Sequence, residues 1–152
     1  MKNFLAKPPV PESSKPGNLG GPVTKYMAAR LITFTPETPI LDAIATLVKK
    51  RISGAPVLNS NKEIVGMIDD KDCLRILIDR AYHNLPVRAN TVSQYMDKVM
   101  RTIPAESDIL DAASIFLETT YKRLLVVDAN GKLVGQISRS DVLRAAGELG
   151  KV

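Results

Sequence analysis

The stretch VGMIDDKDCLR at residues 65–75 returns as VGQISRSDVLR at residues 134–144, which is 69 positions later (134 − 65 = 69). At the same offset, ILDA at residues 40–43 falls on ILDA at residues 109–112. Agreement at one fixed offset along most of the chain is the signature of an internal repeat. The sequence therefore predicts two copies of one supersecondary unit. Further matches at this offset are Val23 with Val92, Tyr26 with Tyr95 and Met27 with Met96.

Each copy is predicted to be a β-α-β-β-α unit that starts with a short leader. A helix follows, because apolar residues recur there at helical spacing. Thr38 and Ser107 are the predicted N-caps of these first helices, since a hydroxyl side chain can accept from a free helix N–H. Two strands and a second helix complete each unit. The predicted ranges in the two copies are 23–27 and 92–96 for the leaders, 40–48 and 109–117 for the first helices, and 55–58, 64–68, 124–127 and 133–137 for the hairpin strands.

A sheet this small, covered by two helices, cannot bury both of its faces within one copy. We therefore expect an α/β (α+β) fold in which the two repeats pack through their small sheets with pseudo-two-fold symmetry. The first repeat is assigned to residues 23–85 and the second to residues 86–152. Residues 1–22 are rich in proline and glycine and lack an apolar period, so they are predicted to form a flexible or extended tail.

The composition is that of a globular protein with an aliphatic core, since 45% of residues are hydrophobic, 24% are charged and 5% are aromatic. The formal net charge of +5 fits an anionic partner such as a nucleotide phosphate, although a solvated basic surface explains it equally well. Nucleic acid is disfavoured as a partner because the basic residues are scattered and few aromatic side chains are present to stack bases.

The residue types that carry most enzymatic chemistry are scarce. Cys73 is the only cysteine and His83 the only histidine, which argues against a disulfide and against a metal site. No Walker-type glycine-rich loop occurs, and no histidine pairs with a nucleophile, so we do not expect an enzyme. The apolar stretch Phe4-Leu5-Ala6 is too short for a signal-peptide core and no run reaches membrane-spanning length, which predicts a cytoplasmic protein without membrane attachment.

Two copies of this unit, with Gly-x-Ile-Ser-x-x-Asp after the last strand, resemble a pair of CBS domains, also called a Bateman module. The resemblance covers Val23 to Gly147. It implies a regulatory module that binds an adenosyl ligand (AMP, ADP, ATP or S-adenosylmethionine) in one or both clefts between the repeats, without catalysis. It also implies a homodimer that acts on a regulated protein, which the sequence does not identify.

The resemblance implies a first cleft, cleft A, that is built from both repeats. Asp141 would accept the two ribose hydroxyls, Ser138 and Ser140 would support a phosphate at a helix N-terminus, and Arg123 would bind phosphate in a bidentate manner. Ser138-x-x-Asp141 is also an ordinary capping box, and the two roles are compatible. The adenine end and the opposite wall would come from the first repeat, through Thr24, Ala29, Ile52, Ser53, Gly54, Ala55 and Pro56.

The repeat-related cleft, cleft B, departs from the family pattern. Asp69 replaces the serine, and together with Asp70 and Asp72 it makes the motif acidic. Such a site repels a polyphosphate unless a cation offsets the carboxylates, so we expect cleft B to be weaker, altered in specificity or empty. Its implied residues are Asp72, Ser93, Lys98, Tyr121 and Lys122. The alternative function is a structural module for dimerisation or protein interaction, with degenerate clefts that bind no ligand.

Overall fold

The computed structural model of the chain describes residues 20–83 and 90–151. The main helices and the hairpin strands follow the predicted order, but the leaders that head the predicted units are helical, as a short helix at Val23–Tyr26 and a 3-10 turn at Val92–Gln94. A further 3-10 turn lies at Glu148–Lys151. Among the described helices, none combines the length and the apolar character needed to cross a membrane. The helices are α1 (Val23–Tyr26), α2 (Ile40–Lys50), α3 (Asp70–His83), α4 (Ile109–Glu118) and α5 (Arg139–Gly147). The strands are β1 (Gly54–Leu58), β2 (Ile64–Asp69), β3 (Thr102–Pro104), β4 (Arg123–Val127) and β5 (Leu133–Ser138).

The β-α-β-β-α order is complete in the second repeat and reduced in the first. In the second repeat, β3 pairs in parallel with β4, and β4 pairs antiparallel with β5. In the first repeat, β1 and β2 form an antiparallel pair, and the strand expected before α2 is reduced to one parallel bridge between Phe34 and Val57. That bridge is the repeat-related counterpart of the Ile103–Val126 pair in the larger sheet.

The predicted N-caps of the first helices, Thr38 and Ser107, each lie one residue before the observed N-cap. Asp108, rather than Ser107, is the N-cap of α4, and its carboxylate accepts from the N–H of Asp111 at 2.8 Å. Pro39 occupies the equivalent position before α2 and provides no side-chain cap. The hydroxyl of Thr38 instead accepts from the N–H of Thr35 at 3.0 Å and closes the preceding turn. A short polar side chain satisfies a turn as readily as a helix end, which is why the caps were misplaced.

Each leader completes the hydrophobic core of the other repeat. Val23 and Tyr26, on α1, are buried in the core of the second repeat, and Val92 and Tyr95 are buried in the core of the first. The other fully buried side chains include Ile40, Val57 and Ile68 in the first core and Leu124, Val126 and Ile137 in the second, all within predicted helices or strands. Ile103 is also fully buried in the second core, and it lies on β3, a strand that the sequence did not place.

Backbone bridges fix this exchange of leaders. Ala28 pairs with Gln136 on β5, and both N–H to carbonyl distances are 2.9 Å. The repeat-related bridge joins Asp97 to Met67 on β2, with both distances at 2.8 Å. The leaders therefore cover the strand edges of β5 and β2, whose N–H and carbonyl groups need partners when they are buried.

Each leader tyrosine is held by the last helix of the opposite repeat, together with the 3-10 turn that follows it in the second repeat. The Tyr95 hydroxyl donates to Asp79 at 2.8 Å, while the Arg75 guanidinium donates to the Tyr95 carbonyl at 2.7 Å. In the second repeat, the Tyr26 hydroxyl donates to Glu148, and Arg144 donates to the Tyr26 carbonyl at 2.9 Å. The same polar clamp thus occurs twice, 69 positions apart (144 − 75 = 69).

The described end of the predicted tail is packed rather than free. Pro22 forms a bridge with Asp108, and the Gly21 carbonyl accepts from the N–H of Ile109 at 2.9 Å. Residues 1–19, and the boundary assigned between residues 85 and 86, lie outside the described residues. The division into repeats at that boundary stays a prediction.

Two glycines let the leaders approach the strands. At Gly135 on β5, a Cβ atom would lie 3.0 Å from the Ala28 carbonyl oxygen and would overlap the Met27 sulfur. Gly66 on β2 is the repeat-related position, where a Cβ atom would lie 2.9 Å from the Asp97 oxygen. A side chain at either position would push the leader away from its strand.

We expect Gly135→Ala to lower the free energy of unfolding by about 1–3 kcal/mol, because the added methyl group overpacks the contact with the leader. Urea unfolding followed by circular dichroism measures this change. Gly147→Ala is the matched control, since a Cβ atom there meets nothing within 4 Å. It should be neutral or slightly stabilising, as expected for alanine in a helix. Equal losses in the two variants would contradict the close approach of the leader.

Candidate functional site

Cleft A is an open cavity of about 690 Å³ between the two repeats. Its first wall consists of the segment after α1 (28–32) and the chain from the end of α2 into β1 (50–56). Its second wall consists of the end of β5 and the start of α5 (136–140), with Lys122 and Arg123 at the junction. The leader bridge at Ala28 therefore joins the two walls directly.

The electrostatic character of cleft A is uniform. Every charged residue that lines it is basic, and none of these side chains forms an ion pair with another described residue. Cations that face one cavity repel one another unless an anion lies between them, so the wall is suited to a ligand with several negative charges. These bases are Arg30, Lys50, Arg51, Lys122, Arg123 and Arg139.

Arg123 lies where the two repeats meet. Its guanidinium donates to the Ser53 hydroxyl at 2.6 Å. A Cβ atom on Gly54 would lie 2.7 Å from the Arg123 Nη1 atom, so the glycine leaves the space that the guanidinium occupies. Gly54 and Arg123 are themselves repeat-related, which places this contact on the pseudo-two-fold axis. Arg123 consequently lines both clefts.

The Ser138-x-x-Asp141 motif forms the capping box of α5. The N–H of Ser138 donates to the Asp141 carboxylate at 2.8 Å, and the Ser138 hydroxyl donates to the same oxygen at 3.0 Å. Arg144 donates to the other carboxylate oxygen at 3.1 Å. Ser140 contacts the Ser138 hydroxyl at 2.9 Å. The cap holds Ser138 and Ser140 at the cleft wall and places Asp141 behind them.

The structure brings together most of the residues that the sequence assigned to cleft A. Ala55 is 1% exposed and belongs to the core of the first repeat, because alternate residues of β1 point away from the cleft. Thr24 is exposed on α1, and Ala29 is exposed beside the lining residue Ala28. The predicted residues that line the cleft are Ile52, Ser53, Gly54, Pro56, Arg123, Ser138 and Ser140.

Sequence reasoning missed Gln136 and most of the basic wall. Arg139 stands inside the repeated motif itself, and Lys50 and Arg51 immediately precede the predicted segment 52–56. Adjacency to predicted site residues was therefore a usable signal for these three. Arg30 carried the same signal through its neighbour Ala29, and the crossing of the leader onto the other repeat is what brings it to the wall.

Cleft B is the repeat-related cavity, with a volume of about 870 Å³. Carboxylates of Asp69, Asp72, Asp97 and Glu118 line it together with basic residues, so its charges are mixed. Among the described residues, no group of three or more histidine, cysteine, aspartate or glutamate side chains is placed to hold a metal ion. The basic lining residues are Lys71, Arg75, Arg101, Lys122 and Arg123.

Three of the five residues assigned to cleft B line it, namely Asp72, Tyr121 and Lys122. Ser93 lies in the 3-10 turn within the second leader, and its hydroxyl contacts the Thr91 hydroxyl at 2.9 Å. Lys98 is exposed between the lining residues 97 and 99. Neither of these two side chains borders the cavity.

Asp72 is the titratable group of cleft B with the most altered pKa. Burial raises the pKa of Asp72 from 3.8 to about 6, the hydrogen bond from the backbone N–H of Asp69 opposes the rise, and the neighbouring Asp69 carboxylate adds to it. The two residues also cap α3 reciprocally, with N–H to carboxylate distances of 3.1 Å and 2.8 Å. Burial at the start of α3 therefore favours the protonated form of Asp72.

Comparison with known proteins identifies the repeats. The family model for the CBS domain matches residues 23–87 and again residues 92–148. The CBS domain-containing protein CBSX2 of Arabidopsis thaliana, a chloroplastic protein, is 31% identical over an aligned span of 160 residues. The match covers 88% of this chain and 67% of that protein.

Solved structures share the whole fold. The crystal structure of CBSX2 in complex with AMP has a TM-score of 0.71 at 33% identity, and the match covers 85% of this chain and 98% of that one. Protein MJ1225 of Methanocaldococcus jannaschii has a TM-score of 0.74 at 24% identity, over 86% of this chain and 51% of that one. A match to inosine-5'-monophosphate dehydrogenase of Aquifex aeolicus, at 28% identity, covers 74% of this chain but only 22% of the enzyme.

The raised pKa of Asp72 predicts a pH-dependent stability. Since Asp72 is protonated more easily in the folded state than in the unfolded state, its protonation stabilises the fold. This stabilisation is complete below pH 3.8 and is lost as the pH rises through about 6. Asp72→Asn cannot ionise but keeps an oxygen that accepts from the N–H of Asp69. We compare the free energy of unfolding of the variant with that of wild type, as measured by urea unfolding. This difference should favour the variant more at about pH 7.5 than at roughly pH 4.5.

Asp42→Asn, at an exposed position on α2, is the control for removing a carboxylate elsewhere. It should keep the wild-type difference in stability between the two pH values. An Asp72→Asn variant with that same difference would show that burial does not perturb this carboxyl group.

Proposed function

This chain belongs to the CBS domain family, and from that premise we propose that it is a non-catalytic sensing module that binds an adenine nucleotide in cleft A. The observation that carries the proposal is the lining of cleft A, where every charged residue is basic. The likeness to CBSX2, whose structure contains AMP, supports an adenosyl ligand of this kind. We further propose that the protein acts in the cytoplasm on a regulated partner protein.

The phosphates of the nucleotide would lie at the start of α5. Arg139 and Ser140 belong to the first turn of this helix, where unpaired N–H groups and the helix dipole favour an anion. Arg123 could bind a phosphate oxygen with its planar fork in place of the Ser53 hydroxyl, which it contacts at 2.6 Å. A ligand with more phosphates neutralises more of the basic wall, which favours ATP or ADP over AMP and over the cationic S-adenosylmethionine.

The nucleoside would lie deeper between the walls. Ile52 and Pro56 offer apolar surface for the base, and Gly54 permits its close approach. Asp141 would accept the ribose hydroxyls, and doing so requires it to share the oxygens that now accept from the Ser138 N–H and the Arg144 guanidinium. Cleft B is proposed to bind the same ligand more weakly, because its four lining carboxylates repel the phosphates.

A homodimer is the second part of the proposal, and the surface of α3 supports it. Leu74, Leu77, Ile78 and Tyr82 recur at helical spacing, and they are 60%, 63%, 52% and 78% exposed. Apolar side chains in such a stripe are expensive to leave in water, and a two-fold axis lets one stripe cover its copy. The same stripe is the observation that favours the alternative function, a structural dimerisation module with clefts that bind nothing.

Isothermal titration with ATP, AMP and S-adenosylmethionine tests the proposed ligand. Asp141→Ala should weaken ATP binding by about 1–3 kcal/mol, the cost of leaving the ribose hydroxyls without an acceptor. Asp72→Ala is the matched control, because it removes from the start of α3 the carboxylate that corresponds to Asp141 at the start of α5. It should change ATP affinity little. An equal or larger loss at Asp72 would reverse the ranking of the clefts, and no binding of any of the three ligands would leave the structural alternative.

Dimerisation is tested by Leu77→Asp with sedimentation velocity. If α3 forms the interface, the charge would be buried without a partner, and the dimer should dissociate with a constant raised roughly 100-fold or more. Val99→Asp replaces another exposed apolar side chain, which is 68% exposed and lies outside the helices. It should leave the dimer intact. A Leu77→Asp protein that dimerises as tightly as wild type would exclude α3 from the interface.

A further inference from the structure

One buried polar atom at cleft A has no partner in the part of the chain that the structure describes. Among the described residues, the side-chain oxygen Oε1 of Gln136 is inaccessible to solvent and accepts no hydrogen bond. A buried acceptor left unpaired destabilises the folded state, and native proteins retain few of them. Gln136 is also a lining residue of cleft A. An unmet acceptor in the wall of a ligand cavity suggests that the ligand supplies the donor.

The backbone fixes the position of Gln136. Residues of β5 alternate between two faces, so Gly135 and Ile137 are buried towards the core while Gln136 and Ser138 share the face that borders cleft A. The bridge to Ala28 holds the main chain of Gln136 at two hydrogen bonds of 2.9 Å. The last torsion of a glutamine side chain is soft, so a small rotation presents Oε1 to the cavity without moving the strand.

We propose that Gln136 is the residue that selects the base in cleft A, by accepting a hydrogen bond from an amino group on the ligand's heterocycle. This inference rests on the proposed function of cleft A. An adenine-type base carries an amino group at position 6, which meets the unpaired oxygen. A 6-oxo base such as hypoxanthine sets a second acceptor against Oε1 in the amide orientation of this structure, and pairing with it would require the amide to turn over and present its NH2 group instead.

Cleft B provides an internal comparison. The residue related to Gln136 by the repeat is Met67, which lines cleft B and makes the equivalent bridge to Asp97. Methionine has a similar length but offers no strong acceptor. Base selection by this position is therefore confined to cleft A. The variant Gln136→Met places in cleft A the residue that already occupies the equivalent backbone position in cleft B.

ATP and ITP are suitable probes, because they differ only in the amino or oxo group at position 6 of the base. Isothermal titration of the full chain should show that wild type prefers ATP by about 10-fold, the usual worth of one buried hydrogen bond against an unmet acceptor. In Gln136→Met the preference should fall to about 2-fold or less, chiefly through weaker ATP binding. Gln136→Glu, which keeps an acceptor, should lower both affinities through charge and retain the preference.

A thermal unfolding scan of the ligand-free variants separates recognition from folding. Gln136→Met should unfold at or above the wild-type midpoint, since it removes an unpaired acceptor. An unchanged ATP to ITP ratio in Gln136→Met, or equal binding of ATP and ITP by wild type, would overturn the role of Gln136 alone. Failure of wild type to bind either nucleotide would overturn the proposed function together with this inference.

Discussion

The exchange of leaders between the repeats is the constraint on which the rest of the structure depends. Without Val92 and Tyr95 the first core lacks one wall, and without Val23 and Tyr26 the second core lacks its own. The bridges that follow the leaders cover the edges of β2 and β5. They also carry the chain onward into the cleft walls. Neither core and neither cleft can therefore be complete in one repeat alone.

The same scaffold holds two cavities of different electrostatic character, one lined only by basic charges and the other by charges of both signs. Their walls superpose by the repeat, yet Ser138 and Ser140 in cleft A stand where Asp69 and Lys71 line cleft B. The bridge residue Ala28 likewise corresponds to Asp97. The backbone interactions at these positions are alike, so such replacements change the electrostatics without changing the fold. Duplication thus allowed one cleft to become uniformly basic while the other acquired carboxylates.

Repetition in the sequence was sufficient to predict the main helices, the hairpins and the motif at the start of α5, but not the helical form of the leaders or the position of β3. It could not predict which repeat each leader packs on, because Val23 and Val92 match equally well in either arrangement. The cap of α4 was misplaced by one residue, since Ser107 and Asp108 are both good caps. Arg30 and Gln136 line the same cleft because the leader crosses onto the other repeat, which no local pattern encodes. What the sequence left open was therefore mostly long-range pairing.

The contact between Arg123 and Gly54 has a thermodynamic meaning beyond packing. One guanidinium lines both cavities, so it cannot neutralise an anion fully in each of them at the same time. For anionic ligands of the proposed kind, occupancy of one cleft would lower the affinity of the other, and by linkage the effect would be reciprocal and equal in free energy. Arg123, on the pseudo-two-fold axis, would then couple the two repeats rather than leave them as independent receptors.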